Sequence, residues 1–272
     1  MKTHRITGGG GVELHVAETG NPRGRPIVFL HGASQCGLQW GRQMDSSLTE
    51  QHRLVAVDMR GHGLSDKPRD GYGDSKQWAD DVDAIIRTLG LDHPVLAGWS
   101  YGPLVCLDYV RHYGDDAIGG LHFIGALTEL GTEAAMSLLA PGFLGVFPQL
   151  LATETDASVD GLRGLLRLCF ANPPNDADFF LMLGYNVSVP PYVRQGLFSR
   201  SFSNADLLPK LRKPVLITHG ELDAVVKPVA ADQHKRAIPH AEVHLMANAG
   251  HAAFWDDAPA FNERLRAFCE RL

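Results

Sequence analysis

The sequence predicts an α/β protein whose mostly parallel sheet is covered on both faces by helices. Short, continuously apolar runs recur along the chain, as in strands that are buried on both faces. Amphipathic helical segments separate these runs, which favours parallel pairing. The chain has 272 residues, of which 44% are hydrophobic and 21% charged, enough for a large core domain with an insertion.

Each predicted element follows from its residue pattern. Alternating polarity predicts a half-exposed strand at residues 12–16, and the glycines at 8–11 predict a hairpin turn before it. The predicted strands cover residues 3–7, 12–16, 26–30, 53–57, 94–97, 121–127, 214–218 and 241–246. The predicted helices cover residues 74–89, 104–110 and 254–272.

Residues 128–204 interrupt this alternation. They carry Leu, Met and Phe at helical spacings, three proline-containing breaks and no clearly buried strand. We predict a largely helical cap inserted between two core strands, over the strand ends where open α/β sheets bind ligands. Residues 1–127 and 205–272 then form the core domain.

Charge and cysteine usage exclude several function classes. The net charge is −6, and no basic patch of the kind that binds nucleic acid or a membrane surface is present. No signal sequence or membrane-spanning apolar stretch is seen, and the four cysteines are scattered. We expect a reduced, cytoplasmic protein that needs no metal or cofactor and acts on a small molecule. The sequence does not decide between a monomer and a homo-oligomer.

The segment Gly98-Trp99-Ser100-Tyr101-Gly102 has the strongest functional implication. It lies between an apolar strand and an apolar-periodic helix, and so places a serine on a sharp turn at a helix N-terminus. Glycines on both sides tolerate the crowding that such a turn imposes. The same pattern also fits a solvated serine in a glycine-rich turn, so the rest of the chain has to supply a base and an acid.

The base and the acid are sought at other strand ends. His251 lies in the loop between the last strand and the last helix, from where it can reach Ser100. Asp223 lies among apolar residues after strand 214–218 and is the favoured acid, with Glu221 and Glu129 as rivals. The order Ser100…Asp223…His251 is the nucleophile–acid–base order of one known triad arrangement.

Other histidines receive structural interpretations. His31 and His219 each precede a glycine at a strand end and are expected to shape turns. Four more are expected to be exposed to solvent: His4, His112, His234 and His240.

Two backbone N–H groups are needed to hold an oxyanion. Tyr101 follows the serine and supplies one, and Ala33, in the turn after strand 26–30, supplies the other. The side chains expected to line the substrate pocket are those of Ser34, Trp40, Trp99, Phe143 and Phe180.

Five motifs carry a resemblance to a known family. They are Leu30-His31-Gly32-Ala33, the D-x-R-G-H-G-x-S-D-x-P segment at 58–68, the serine turn, His219-Gly220-Glu221-Leu222-Asp223, and Gly250-His251. Together they resemble the α/β-hydrolase superfamily, in the branch of cofactor-free haloperoxidase-like esterases, lactonases, C–C bond hydrolases and epoxide hydrolases. The resemblance implies the triad roles above, a structural role for segment 58–68, and a cap that lines the acyl pocket.

The serine itself narrows the expected chemistry. Epoxide hydrolases and haloalkane dehalogenases of this superfamily carry an aspartate where this chain has Ser100. We therefore expect hydrolysis of a carboxylic ester or lactone through an acyl-enzyme. The alternatives are a C–C bond hydrolase, an acyltransferase, a cofactor-free haloperoxidase or perhydrolase, and a non-enzymatic small-molecule receptor with the same fold. Pro103 replaces a glycine that is common after the elbow, but proline suits the first turn of a helix.

Overall fold

A computed structural model describes residues 1–272 and contains one large sheet and one small one. The strands are β1 Lys2–Thr7, β2 Glu13–Gly20, β3 Arg25–Leu30, β4 His52–Asp58, β5 Val95–Trp99, β6 Gly120–Ile124, β7 Glu129–Leu130, β8 Phe202–Ser203, β9 Val215–Gly220 and β10 Glu242–Met246. The eight-stranded sheet has the order β1-β2-β4-β3-β5-β6-β9-β10. Only β2 runs against the other strands of this sheet, so the predicted mostly parallel sheet is confirmed.

Twelve α-helices accompany the strands. They are α1 Gly41–Met44, α2 Leu48–Gln51, α3 Ser75–Leu89, α4 Gly102–Tyr113, α5 Glu133–Leu138, α6 Pro141–Leu150, α7 Thr155–Cys169, α8 Asp176–Val187, α9 Pro191–Phe198, α10 Val229–Ala237, α11 Ala253–Asp256 and α12 Ala258–Cys269. Short 3₁₀ turns cover Gly9–Gly11, Gly37–Trp40 and Leu208–Lys210. None of the helices is both long and apolar enough to cross a lipid bilayer.

The parallel strands separate two hydrophobic cores. Successive side chains of a strand point to opposite faces, so Val28 of β3 joins the core beneath α3 and α4, whereas Phe29 joins the core beneath α12. Burial on both faces explains why these strands are continuously apolar. In β3 and β5 every residue but Arg25 is buried.

The predicted N-terminal hairpin is confirmed, with β1 and β2 paired antiparallel across the glycine turn. Ile6 of β1 faces Leu14 of β2, and both are buried. Gly10 and Gly11 adopt left-handed backbone angles, with φ of 66° and 79°, which glycine accepts without a steric penalty.

Two predicted elements differ in extent. The predicted closing helix is two helices, because the backbone leaves helical geometry at Asp257, whose side chain then caps α12 by accepting a hydrogen bond of 3.1 Å from Ala260 N. The predicted strand 121–127 ends at Ile124, because Gly125 has a φ of 49° and turns the chain away.

Five helices, α5 to α9, lie between β6 and β9, in the segment predicted as an insertion. Strands β7 and β8 pair at its base and bring its two ends together. Arg200 then fixes this base to α4, because its guanidinium donates to both carboxylate oxygens of Asp108 at 2.8 Å, and both side chains are buried.

Four buried histidines are expected to make stability depend on pH. Burial is the main cause that lowers the pKa of His31 and His234 to about 4 and that of His62 and His122 to about 3. The expectation that His234 is exposed is therefore wrong; its ring is buried and hydrogen-bonds to Thr128 Oγ1 at 3.0 Å.

In the unfolded chain these rings take up protons below about pH 6.5, whereas the folded protein resists protonation. The stability present above that pH is thus lost as the pH falls towards 4, by up to about 1.4 kcal/mol per histidine per pH unit. Urea midpoints measured between pH 7.5 and 4.5 should show this loss. The slope should be shallower for His122→Gln and unchanged for the exposed His240→Gln; equal slopes in both variants would contradict the assignment.

Candidate active site

The serine turn connects β5 to α4. Ser100 has a φ of 58°, a left-handed conformation that is unusual for a residue with a side chain. A Cβ at Gly98 would lie 2.5 Å from Pro103 N, and one at Gly102 would lie 2.4 Å from Leu30 O. Glycine is therefore required on both sides of the turn, and Ser100 is left half-buried at its apex.

Two hydrogen bonds fix this turn against the loop that follows β6. Ser100 N donates to Ile124 O at 2.8 Å, and Leu127 N donates to Ser100 O at 3.1 Å. The strained backbone of the serine is thus held in place by the neighbouring strand end.

His251 and Asp223 form a buried pair at the same end of the sheet. His251 follows β10 and Asp223 follows β9, and His251 Nδ1 lies 2.8 Å from Asp223 Oδ2. Burial by itself raises the pKa of the Asp223 carboxyl, but its contacts with His251 and His219 outweigh burial and lower it. The carboxylate is therefore ionised at neutral pH.

The backbone also holds this carboxylate. Asp223 Oδ1 accepts hydrogen bonds from Val225 N at 2.8 Å and from Val226 N at 2.9 Å. Neither rival acid is bonded to His251, since Glu221 is exposed and Glu129 is bonded to Thr132 at the base of the insertion.

Ser100 and His251 line one cavity, but the Ser100 hydroxyl makes no hydrogen bond to the imidazole. Bonds of this kind are often long without substrate and tighten in the complex. The His251 ring is fixed from behind, because the Trp99 indole N–H donates to His251 O at 2.9 Å and the two rings lie 5.3 Å apart.

Two backbone N–H groups at this cavity have no acceptor within the protein. They belong to Tyr101, directly after the serine, and to Ala33, in the loop after β3; both residues line the cavity. Strands β3 and β5 are neighbours whose connections leave in opposite directions, which opens a crevice at their carboxyl ends. The N-terminus of α4 adds a favourable dipole for negative charge there.

Histidines hold the loop that carries Ala33. His31 Nδ1 donates to Gly32 O at 2.8 Å, and its Nε2 accepts from Met59 N at 3.1 Å. His62 Nε2 accepts from Ser34 N at 3.3 Å. Segment 58–68 therefore braces the loop through neutral imidazole rings.

The cavity above Ser100 is small and mostly apolar. Its volume is about 30 Å³, room for little more than one or two water molecules. Its walls are formed by Gly32, Ala33, Ser34, Gln35, Trp99, Ser100, Tyr101, Leu127, Leu139, Phe143, Leu150, Leu165, Cys169, Phe198, Val225 and His251. None of these residues is Lys, Arg, Asp or Glu.

Three of the five residues expected in the pocket line it, namely Ser34, Trp99 and Phe143. The other two lie elsewhere and correct the prediction. Trp40 is fully buried in the core, where its ring lies 4.3 Å from that of Phe254. Phe180 is 62% exposed, because it lies on the outer side of α8.

Some contacts within the site could not be found from the sequence. His219 Nε2 lies 3.0 Å from Asp223 Oδ2, although the sequence indicated a turn-shaping role; its place four residues before Asp223 was the available signal. Gln35 and Asn186 exchange amide hydrogen bonds of 3.3 Å and so join the loop after β3 to α8. No sequence signal predicts that pair.

A mostly parallel sheet with a serine at a strand-to-helix elbow defines the α/β-hydrolase class. The family model described as alpha/beta hydrolase fold matches residues 25–258, and the chain therefore belongs to this family.

Individual relatives agree with this assignment. The chain is 31% identical to the AB hydrolase superfamily protein YisY of Bacillus subtilis, over 94% of this chain and 95% of the relative. It is 31% identical to the bifunctional esterase/perhydrolase DCH of Acinetobacter calcoaceticus, over 81% and 82%. Among solved structures it resembles the esterase RhEst1 from Rhodococcus sp. ECU1013, with a TM-score of 0.94, 33% identity, and coverage of 99% of both chains.

Proposed function

We propose that the protein is a serine hydrolase that cleaves a carboxylic ester or lactone of a small, uncharged molecule. The observation that carries the proposal is the buried His251–Asp223 pair, which borders the same apolar cavity as the elbow serine Ser100. A reactive serine needs such a pair, because its hydroxyl is a weak nucleophile without a base.

Each side chain has a role in the proposed reaction. His251 Nε2 takes the Ser100 proton while Oγ attacks the substrate carbonyl carbon, and Asp223 stabilises the imidazolium. The N–H groups of Ala33 and Tyr101 hold the resulting oxyanion. His251 then gives its proton to the departing alcohol, and a water that His251 deprotonates splits the acyl–serine bond to release the acid.

We also propose that residues 128–204 act as a cap that selects the acyl group. Support comes from its side chains in the cavity wall, among them Leu139, Phe143 and Leu165. The absence of Lys, Arg, Asp and Glu from the cavity wall favours an uncharged substrate, since a buried ion would lack a partner. The small volume favours a short acyl group.

Covalent labelling tests the proposal directly. A fluorophosphonate probe should label the wild type at Ser100, as mapped by peptide mass spectrometry, because phosphonylation uses the same activated oxygen. Labelling should be lost in His251→Ala and retained in Ser137→Ala, a serine exposed on α5. An unlabelled Ser100 without ester turnover would instead support the receptor alternative.

The cavity wall predicts how acyl-chain preference can be changed. Phe143 is buried at the wall, so Phe143→Ala should admit longer acyl chains and raise kcat/KM for p-nitrophenyl octanoate relative to the acetate by about tenfold. The matched control is Phe180→Ala, which removes an exposed ring outside the cavity. An unchanged octanoate-to-acetate ratio in Phe143→Ala would show that this wall does not contact the acyl group.

Perhydrolysis is the second candidate, favoured by the 31% identity to a bifunctional esterase/perhydrolase. Hydrogen peroxide would replace water in attacking the acyl-enzyme, releasing a peracid and regenerating Ser100. Peracid formed from an acetate ester and peroxide, detected by bromide oxidation, should depend on Ser100.

A further inference from the structure

A second buried histidine contacts the acid of the candidate triad. His219 lies one residue before the end of β9 with its ring fully buried, and its Nε2 lies 3.0 Å from Asp223 Oδ2 and 3.0 Å from Val226 O. Asp223 Oδ2 is the same oxygen that His251 Nδ1 contacts at 2.8 Å. Two imidazole rings therefore converge on one carboxylate oxygen.

The neighbours of His219 fix its protonation. A backbone carbonyl and an ionised carboxylate are both acceptors, so Nε2 must carry the proton. Its hydrogen bond goes to Val226 O at 3.0 Å, and the Asp223 carboxylate faces the same N–H group at 3.0 Å. The other ring nitrogen, Nδ1, is buried without a hydrogen-bond partner. Nε2–H is thus the only ring group of His219 that interacts with a neighbour.

This donor completes the surroundings of the Asp223 carboxylate. Oδ1 accepts from Val225 N and Val226 N, Oδ2 accepts from His251 Nδ1, and His219 Nε2 lies 3.0 Å from the same Oδ2. A carboxylate fully supplied with donors cannot rotate, and it shares its negative charge between the two rings. Asp223 Oδ2 is consequently a fixed acceptor that orients His251. Its attraction for His251 Nδ1–H is weakened by the neighbouring N–H group of His219.

The other titratable groups around this cluster stay uncharged or are engaged elsewhere. His234 lies behind His219 and is bonded to Thr128, and burial lowers its pKa to about 4. Burial also raises the pKa of the Cys169 thiol on the cavity side of Asp223. The Asp256 carboxylate accepts from Gly250 N at 2.7 Å, next to His251.

We propose that His219 is a positioning residue of the reaction: by holding its Nε2–H group 3.0 Å from Asp223 Oδ2, it fixes the acid for His251 and sets the lower pH limit of activity. This inference rests on the proposed function. Without the second donor, Asp223 would pull more strongly on His251 Nδ1–H and raise the basicity of that imidazole. The acid limb of the kcat/KM profile would then move to higher pH.

Three variants test the proposal. His219→Leu removes the donor at similar volume, and His219→Gln keeps an N–H group near the Nε2 position. The matched control is His122→Leu, which removes another buried histidine, one bonded to Thr218 Oγ1 at 2.8 Å, away from Asp223. Each variant is assayed for kcat, KM and the pH profile, and its stability is measured by thermal unfolding.

We expect His219→Leu to lower kcat by about 10- to 100-fold, the effect of losing one close N–H interaction with a charged group, with KM little changed. In this variant the acid limb of the kcat/KM profile should move to higher pH. His219→Gln should recover most of the lost kcat, and His122→Leu should keep the wild-type pH profile. The proposal is overturned when His219→Leu and His122→Leu have the same kcat and the same pH profile. It is also overturned when His219→Gln lowers kcat as much as His219→Leu does.

A spectroscopic measurement separates this proposal from the proposed function. In ¹⁵N-histidine-labelled protein, long-range ¹H–¹⁵N spectra should show His219 as the Nε2–H tautomer, and His219→Leu should move the low-field His251 Nδ1–H resonance. An Nδ1–H tautomer of His219 overturns the arrangement whatever the activity. Absence of ester turnover in the wild type would overturn the proposed function, and the positioning role with it. The ¹H–¹⁵N spectrum would still report the tautomer of His219 in that case.

Discussion

Ser100→Ala is expected to lower kcat for ester hydrolysis by on the order of 10⁶-fold, close to the cost of removing the nucleophile from other serine hydrolases. No other serine is placed to substitute, because Ser34, the second serine in the cavity wall, is bonded to His62 through its backbone N–H and its hydroxyl makes no hydrogen bond to a base. Initial rates with p-nitrophenyl acetate measure the loss, with Ser137→Ala as the active control.

The fold should survive this change, and the backbone of Ser100 allows a second comparison. Since its φ is 58°, a residue with a Cβ pays about 1 kcal/mol at this position and glycine does not. We expect Ser100→Ala to unfold near the wild-type temperature and Ser100→Gly to be at least as stable, although both are inactive. Wild-type-like turnover by either variant would reject Ser100 as the nucleophile.

The core of the fold could be predicted because its signals are local. Apolar runs bounded by turns gave the strands at 26–30 and 53–57, and helix α3 is bounded by residues that favour helix ends. Asp74 caps its N-terminus and Gly90 ends it with a φ of 58°. Such signals depend on a few neighbouring residues and need no knowledge of the tertiary structure.

Side-chain placement in the pocket could not be predicted in the same way. Phe143 and Phe180 both lie on apolar helices of the insertion, yet only Phe143 reaches the cavity. The difference lies in how α6 and α8 are rotated against the core, which depends on long-range packing. Trp40 is close in sequence to the cavity loop, but a 3₁₀ turn directs it into the core instead.

The buried polar contacts of His234 and His219 also could not be predicted from the sequence. His234 was expected to be exposed because its segment is charged, but its position on α10 faces the core and meets Thr128 more than a hundred residues earlier. The contact of His219 with Asp223 depends on how the loop after β9 folds back on its strand. Spacing alone does not determine such contacts.

Asp223→Asn is the sharpest test of the acid, and we expect it to lower kcat by about 10⁴-fold with little change in KM. The amide oxygen would keep the hydrogen bonds from Val225 N and Val226 N, which leaves the NH₂ group facing His251 Nδ1. That ring nitrogen then has to accept a hydrogen bond, so the proton moves to Nε2. An Nε2–H group has no lone pair with which to take the Ser100 proton.

The matched controls for this variant are Glu221→Gln and Glu129→Gln, which neutralise the two carboxylates that also follow core strands. Neither is bonded to His251, so both variants should keep the wild-type kcat. The exchanged tautomer of His251 should be visible in ¹⁵N-histidine spectra of Asp223→Asn and absent from both controls. If Asp223→Asn kept more than about a tenth of the wild-type kcat, the loss would be far below what a wrong tautomer costs, and Asp223 would not be the acid that orients the base.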